Sequence, residues 1–520
     1  MAVVLGVDIG TGSAKAVAYD ETGRALASAS RPVSLHSPGP DRSEQDADEI
    51  LGAAEGAVAA AAAALAAAGR GVDALSFSAA MHSVLPVDRA GKAAGPSATW
   101  ADNTAAPYAR ALASSPGAAA LYARTAVPIH AMTPLCKLIR LRDLGDPRYA
   151  AAARFVSAKE YVAAAWTGEW AVDYGSAGGT GLFNVRTLDW DDEALSLAGI
   201  DRSRLSALAE TTAVVGRVTA EAARRLGVPA GTPVVCGAPD GVLANLGTGA
   251  ARPGTFAVTV GTSGAVRAPS AGPLADPKGR TFSYYLADGR WVSGGPVNNG
   301  GIAVRWALDS LVPGLAAEAR QAGKDPFAFF DEKAARVPAG SDGLLFLPFL
   351  AGERAPLWNS DARGCFFGVS LRHGSEHFMR AVLEGVIFSL RSVAVLVEQL
   401  SGPADAIRAS GGFGKSALWR SILAGVFDRP VYTSSEGEAS CFGAALLGFR
   451  ALGVLPDLEA AAALCPPGDL TEPDPAAAEA YRELFSIYDR LVAACGAEFG
   501  AISDYQRRRA DDGSSRTLNQ

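Results

Sequence analysis

VVLGVDIGTGSAKAVAYD, residues 3–20, opens on an apolar run, Val3-Val4-Leu5-Gly6-Val7, that ends in an acid, Asp8. A tight Gly10-Thr11-Gly12-Ser13 corner follows, then a second alternating run from Lys15 to Asp20. The pattern predicts strand, turn, strand. Glycines let a backbone approach a ligand closely, and the N–H groups of such a turn form a nest for an anion. Thr11 and Ser13 add hydroxyls, and Lys15 adds a positive charge. A carboxylate at the end of a buried strand, as Asp8 is, costs free energy unless it meets a cation or a hydrogen-bond donor. Phosphate with a metal ion is the functional reading. An ordinary hairpin with a small turn has the same pattern.

The motif recurs. Residues 255–268, TFAVTVGTSGAVRA, again place an apolar strand, a Gly-Thr corner (Gly261-Thr262-Ser263-Gly264) and a second apolar strand in succession. Two such corners, one in each half, predict a duplicated fold with two phosphate loops. The competing view is that strand-turn-strand units look alike.

At 520 residues the chain exceeds a single ordinary core, and two domains of about 250 residues each are expected. A net charge of −7 argues against nucleic acid or an anionic membrane as partner. The six cysteines include no CxxC pair, so neither a zinc site nor a disulfide framework is indicated. They read as small buried residues of a reducing compartment. The N-terminus enters a strand with no basic, apolar leader, and the Ala-rich run near residues 57–68 is too weakly apolar for a span. A cytoplasmic protein is expected.

Further along, Asp46 to Gly69 reads as an Ala-rich helix capped by Asp46 or Asp48. Strands are expected at Arg24–Val33, Val72–Ser78, Val84–Val87 and Pro233–Gly237, the last leading to Ala238-Pro239-Asp240-Gly241 and a short helix. A hairpin through Asp288-Gly289, a helix bearing Arg305 and Trp306, a strand at Leu344–Leu347 and a long amphipathic helix over 375–400 follow. Ile407–Ser410 is a strand ending in Gly411-Gly412-Phe413-Gly414, with Ser416 capping the next helix. That arrangement presents helix N–H groups to an anion. Residues 473–498 are read as a last helix, and 506–520 as a tail without regular structure.

The segments GVDIGTGSAKAVAYD, GAPDGVLANLG, VTVGTSGA, LAGERAPLWN and SGGFGKS, in this order, resemble the FGGY family of carbohydrate kinases from the first hairpin to the helix after Gly412. Within that family SFSAAMHSVLPVD (76–88), TWADN (99–103), FVSAKEYV (155–162) and GGPVNNGG (294–301) are most similar to the gluconokinases. Xylulokinases share the Met81-His82 pair but differ around Trp100 and Asn298. The resemblance implies an α/β fold of two actin-like, ribonuclease-H-like domains with a cleft between them. The sugar-binding domain would be 1–248 and the nucleotide-binding domain 249–505. It also implies ATP and Mg²⁺ as cofactors, a sugar acid as the second small-molecule substrate, transfer of phosphate from ATP to D-gluconate, and a homodimer as an assembly common in the family.

A sugar hydroxyl is a poor nucleophile, so a base must take its proton as the γ-phosphoryl arrives. Asp240, beside Gly241 at a strand mouth, matches the family's catalytic aspartate; capping the following helix is its alternative duty. Asp8 matches the acid that holds the metal, with Asp240 nearby as a second metal-facing carboxylate. Thr11, Gly12, Ser13 and Lys15 would meet the outer phosphates, with Gly261 and Thr262 in the second corner. Gly301, Gly412 and Ser416 match positions along the nucleotide. Gly411 is needed for the turn itself, and Arg305 either faces the nucleotide or is an ordinary exposed arginine. Met81, His82, Trp100, Asp102, Asp240 and Gly241 are the substrate candidates, with Asn103, Lys137, Lys159 and Glu160 behind them. A histidine after a strand or a tryptophan in a loop can equally be structural. An arginine or lysine is expected to meet a gluconate carboxylate, but none is singled out. Phosphorylation of another sugar such as D-xylulose, a sugar-independent ATPase switch and a silent sugar sensor are the competing functions.

Overall fold

The computed structural model describes the whole chain except residues 40, 434–437, 467 and 518–520, and describes no side chains from residue 510 on. It forms two compact units, both discontinuous in sequence. The first comprises Met1–Pro253, Ala268–Ser293 and Glu438–Pro466; the second comprises Gly254–Arg267, Gly294–Gly437 and Pro467–Gln520. The expected boundary near residue 248 was a single cut, whereas the chain passes between the units several times.

The first unit is built on a six-stranded sheet in the order Val214–Arg217, Pro233–Pro239, Ala74–Ala79, Val3–Ile9, Ser13–Asp20, Ala25–Pro32. The first hairpin pairs antiparallel with Ile9 opposite Ala14 and Asp8 opposite Lys15. Val3–Ile9 also pairs in parallel with Ala74–Ala79. Side chains alternate across this sheet. Leu5 and Val7 join the Ala47–Ala67 helix on one face, while Val4 and Val17 join Phe442 and Leu446 of the Ala439–Ala451 helix on the other. Cover on both faces is why the opening run is almost continuously apolar.

Ala47–Ala67 is helical because alanine loses least on entering a helix and Asp46 caps it, accepting from the Asp48 and Glu49 N–H groups at 2.9 Å. Its Ile50, Val58 and Leu65 are fully buried, worth about 1.5–3 kcal/mol each as an upper estimate. By length and composition it is apolar enough to cross a membrane, contrary to the expectation that no stretch is. Packing against the sheet accounts for that apolarity.

In the second unit, strands Gly264–Ser270, Thr255–Val260, Ala406–Ser410, Val431–Thr433 and Asp469–Thr471 lie side by side in that order. As in the first unit, an antiparallel hairpin (Val260 opposite Gly264) is joined by a parallel neighbour, Ala406–Ser410. Of the face that its periodicity predicts, Phe378, Val382, Leu383, Val386 and Leu390, the 27-residue helix Ser375–Ser401 buries all but Phe378, which is half-buried at the start of the helix. After Pro475–Ala494 the chain continues as a helix over Gly496–Thr517. The tail expected from Gln506 is therefore helical to Thr517, and its last residues, 518–520, lie outside the described residues. Two arginines anchor this helix: Arg507 pairs with Asp361 at 2.7 Å, and Arg363 donates to Gln506 at 2.8 Å. All six cysteines are free thiols, and Cys365 and Cys495 are only partly buried.

Candidate active site

The first Gly-Thr corner has both of its central carbonyls tied into the fold. Thr11 O accepts from Gln45 Nε2 at 2.9 Å and Gly12 O from Val33 N at 3.1 Å, while Gly10 N closes the turn onto Ser13 O at 3.0 Å. Among the described residues the Thr11 and Gly12 N–H groups meet no acceptor, as an anion nest requires. A Cβ on Gly12 would find no atom within 4 Å, so this glycine opens onto space. Thr11 Oγ accepts from Trp100 Nε1 at 3.0 Å. Trp100 is thus a strut under this corner, and its hydrogen bond links two of the residues singled out in the sequence.

Asp8, one residue before the end of its strand, accepts at Oδ1 from Ser78 Oγ at 2.6 Å. Burial raises its pKa above the usual value, against the pull of Ser78 and the Lys15 charge. Lys15, opposite Asp8, reaches Glu438 with both carboxylate oxygens at 3.0 Å. Burial disfavours its charge, but Glu438 more than offsets this and its pKa is raised. Lys15 therefore carries a carboxylate partner that sequence reasoning missed; nothing in the spacing connects residues 15 and 438. No group of three or more His, Cys, Asp or Glu side chains that could hold a metal is found among the described residues. One half-buried carboxylate beside an N–H nest suits Mg²⁺, which takes one or two carboxylates and fills its shell with water and substrate phosphate.

Asp240 is placed by a glycine device. Strand Pro233–Pro239 runs beside Ala74–Ala79 with a register shift between Val235 and Ala238. At that shift Gly237 has φ +69°, and a Cβ there would lie 1.7 Å from Phe77 O. The bulge re-aims the strand end, so Asp240 opens the helix Asp240–Gly247 behind Pro239. The N-cap is Pro239, so Asp240 is the first helical residue rather than its cap. Its Oδ1 accepts from Gly241 N at 2.6 Å. That helix is gripped by Ala439–Ala451 through glycines: a Cβ on Gly247 would stand 2.0 Å from Ala439 O, and one on Gly443 2.2 Å from Leu243 O.

Met81 and His82 lie in the loop after strand Ala74–Ala79. His82 has φ +64°, in the left-handed region that a residue with a Cβ enters at a cost in free energy. Its Nδ1 meets Gly179 O at 2.7 Å and its Nε2 lies 3.4 Å from Tyr284 Oη. Met81 uses the room left by Gly179, where a Cβ would stand 2.5 Å from its methyl. Asp102 is 3% exposed and spends its carboxylate on Ser43 N, Thr104 N and Thr104 Oγ, so it shapes the TWADN loop. Lys159 forms a buried ion pair with Asp173, and Glu160 closes a capping box with Ser157. Both line a cavity together with Met81 and His82.

In the second unit, the Gly261 and Thr262 carbonyls are likewise occupied. Gly301 N donates to Gly261 O at 2.7 Å, and Gly300 N and Ile302 N donate to Thr262 O at 3.1 and 3.2 Å. The Thr262 and Ser263 N–H groups meet no acceptor among the described residues. Beneath this corner Glu353 collects the Asn298 and Arg354 N–H groups at 2.5 and 2.8 Å and Asn299 Nδ2 at 3.2 Å. Burial pushes its pKa up to about 7.

A cleft of about 510 Å³ in the same unit is lined by Val260, Gly261, Gly301, Val304, Phe327, Ala328, Asp331, Gly412, Phe413, Ser416 and Trp419, among others. Size and apolar walls suit a planar base. It brings together Gly261, Gly301, Gly412 and Ser416 from the sequence candidates. Ser416 caps Ala417–Phe427 by accepting from Trp419 N at 3.2 Å. Arg305 is exposed and does not line the cleft; its guanidinium stacks 4.8 Å from Phe327, which does. The wall from Phe327, Ala328 and Asp331, on helix Pro326–Ala334, was not read from sequence. Apolar residues on a short amphipathic helix give no signal of a ligand.

The N-terminal model of the FGGY family of carbohydrate kinases matches residues 3–247, and its C-terminal model matches residues 256–452. The chain belongs to the FGGY family of carbohydrate kinases. Members of this family are ATP-dependent phosphotransferases, and this kinase is one by membership. It is 40% identical over 505 residues to a gluconokinase of Bacillus subtilis, covering 97% of this chain and 98% of that protein. It is 28% identical over 462 residues to a xylulose kinase of Lactococcus lactis, covering 88% and 90%. Among solved structures it resembles a gluconate kinase from Lactobacillus acidophilus, with TM-score 0.90, 33% identity and coverage of 96% and 99%. The actin-like α/β architecture that the resemblance implied is the fold of these FGGY kinases.

Proposed function

We propose that this FGGY kinase transfers the γ-phosphoryl group of ATP to D-gluconate, giving 6-phospho-D-gluconate and ADP. The observation that carries the choice of sugar is the 40% identity to a gluconokinase across almost the whole of both chains, against 28% to a xylulose kinase.

The chemistry asked of the residues follows from their surroundings. Asp240, held at the head of its helix, accepts the proton of the acceptor hydroxyl, a contribution of typically 10²–10⁴ in rate. The N–H groups and hydroxyls of Thr11–Ser13 and of Thr262–Ser263 receive phosphate oxygens, supplying donors already oriented before reaction. Asp8, and with it Asp240, would hold Mg²⁺, and the ion supplies neutralisation of phosphate charge. The base of ATP occupies the Phe327–Trp419 cleft, with Gly412 and Gly301 lying along the nucleotide. Met81, His82 and Trp100 face the sugar acid.

A coupled ADP-release assay over a panel of aldonates and ketoses tests this reading. Gluconate should give the highest kcat/KM, and no ADP should form without an acceptor. A second reading, phosphorylation of D-xylulose, is favoured by one finding: a structure described as a xylulose kinase from Lactobacillus acidophilus matches with TM-score 0.90 and 33% identity. The same panel separates the two.

A further inference from the structure

Lys137 is 3% exposed, on the helix Pro134–Asp143, and its partners are all neutral. Its Nζ donates to His82 O at 2.9 Å, Thr99 O at 2.6 Å and Met132 O at 2.8 Å. The other fully enclosed lysine of this unit, Lys159, has Asp173 against it. The carboxylate nearest in charge to Lys137 is Asp102, whose oxygens are taken up by Ser43 and Thr104. A buried ammonium without a bonded carboxylate is costly, and burial lowers the Lys137 pKa to about 7; three carbonyl acceptors within 2.9 Å favour the protonated form. A methionine would fill the same space without the cost of burying a charge. What the ammonium alone supplies is three N–H donors diverging from one atom.

The three carbonyls come from three separate loops. One is that of His82 itself, in the left-handed conformation with φ +64°. The second precedes Trp100, whose indole supports Thr11. The third belongs to Met132, whose N–H is held by His130 Nδ1 at 3.2 Å. The first two loops also meet through the Val84–Ala98 bridge, two backbone hydrogen bonds of 3.0 Å; the ammonium joins the Met132 loop to them and holds the His82 and Thr99 carbonyls at the loop tips.

We propose that Lys137 is a positioning residue for the sugar acid: its ammonium ties the His82, Thr99 and Met132 carbonyls together and so fixes the mutual placement of the Met81-His82 and Trp100 side chains. This rests on the reading that those side chains face the acceptor. Without the tie, the Val84–Ala98 bridge remains but the loop tips beyond it, at Met81-His82 and at Trp100, lose their fixed spacing to each other and to Met132, while the nucleotide cleft, built wholly from the second unit, is untouched.

Steady-state kinetics of full-length Lys137→Met and Lys137→Gln test it, with circular dichroism and a melting curve on each. Gln keeps two N–H donors and Met keeps none. The KM for gluconate should rise in the order wild type, Lys137→Gln, Lys137→Met, reaching tenfold or more, with the KM for ATP within twofold of wild type throughout. A folded Lys137→Gln or Lys137→Met with unchanged sugar KM overturns the proposal. So does a loss confined to kcat, or one shared equally by ATP, because a merely destabilised fold would produce either. If the substrate panel names another sugar, the same ratio is read with that sugar, so a failure of the gluconate assignment is not mistaken for a failure of Lys137.

Discussion

Gly411 and Gly412 are chain neighbours with opposite surroundings, and substituting each separates a demand of the fold from a demand of the ligand. Gly411 has φ +105°, and a Cβ on it would lie 2.2 Å from Val260 O; a Cβ on Gly412 would meet nothing within 4 Å. Gly411→Ala therefore incurs backbone strain of about 1–3 kcal/mol. Pressing the carbonyl away adds about 1–3 kcal/mol. At about 2–4 °C per kcal/mol for a domain of this size, the melting temperature should fall by on the order of 10 °C. Gly412→Val adds its methyls to the open cleft that Gly412 lines. Its stability should stay within about 0.5 kcal/mol of wild type, while affinity for a non-hydrolysable ATP analogue, by titration calorimetry, falls at least tenfold, or about 1.4 kcal/mol. A Gly411→Ala protein that melts like wild type, or a Gly412→Val protein that binds the analogue unchanged, refutes the assignment of these two glycines.

Asp240→Asn should bind ATP and gluconate with affinities close to wild type and lose about 10²–10⁴ in kcat; retained turnover removes Asp240 from the base role. Asp8→Asn should raise the Mg²⁺ concentration for half-maximal rate tenfold or more, and an unchanged requirement places the metal elsewhere. Glu353, with its pKa pushed up to about 7 from 4.5, is protonated in the folded chain where the unfolded chain has ionised. The folded state thus holds the extra proton between those values, and this stabilising contribution fades as pH rises through 7, by up to about 3 kcal/mol. The stability of wild type relative to Glu353→Gln, from urea titrations between pH 5 and 8, should decline over that window; a flat difference contradicts the buried-carboxylate reading.

Local signals carried much of this molecule. The opening hairpin, the Asp46 cap, the Ser416 cap and the buried face of Ser375–Ser401 follow from patterns contained within a few turns or strands. What was illegible depends on distant pairs. Gly6 reads as one more strand residue, yet a Cβ there would stand 2.1 Å from Cys441 O, so it is what lets the Ala439–Ala451 helix lie on the first strand. The same long-range packing returns residues 438–466 to the first unit. Lys15 and Glu438 are invisible to each other in sequence for the same reason. Gly237 was read as part of a strand, and its role in aiming Asp240 emerges only beside Phe77. For the site, residue types at glycine corners were informative because backbone geometry there is local. The cleft walls at Phe327, Asp331 and Trp419, and the three-carbonyl environment of Lys137, have no local signature. The membrane-like composition of Ala47–Ala67 shows the converse: a composition signal whose meaning is decided by what packs on it.

The most direct test of the account is a single incubation of the protein with ATP, Mg²⁺ and equal amounts of D-gluconate and D-xylulose, with the phosphorylated products resolved by mass spectrometry. The account predicts phosphogluconate as the dominant product, in amounts equal to the ADP formed. Xylulose phosphate as the main product, or ADP accumulating with neither sugar phosphorylated, would contradict it.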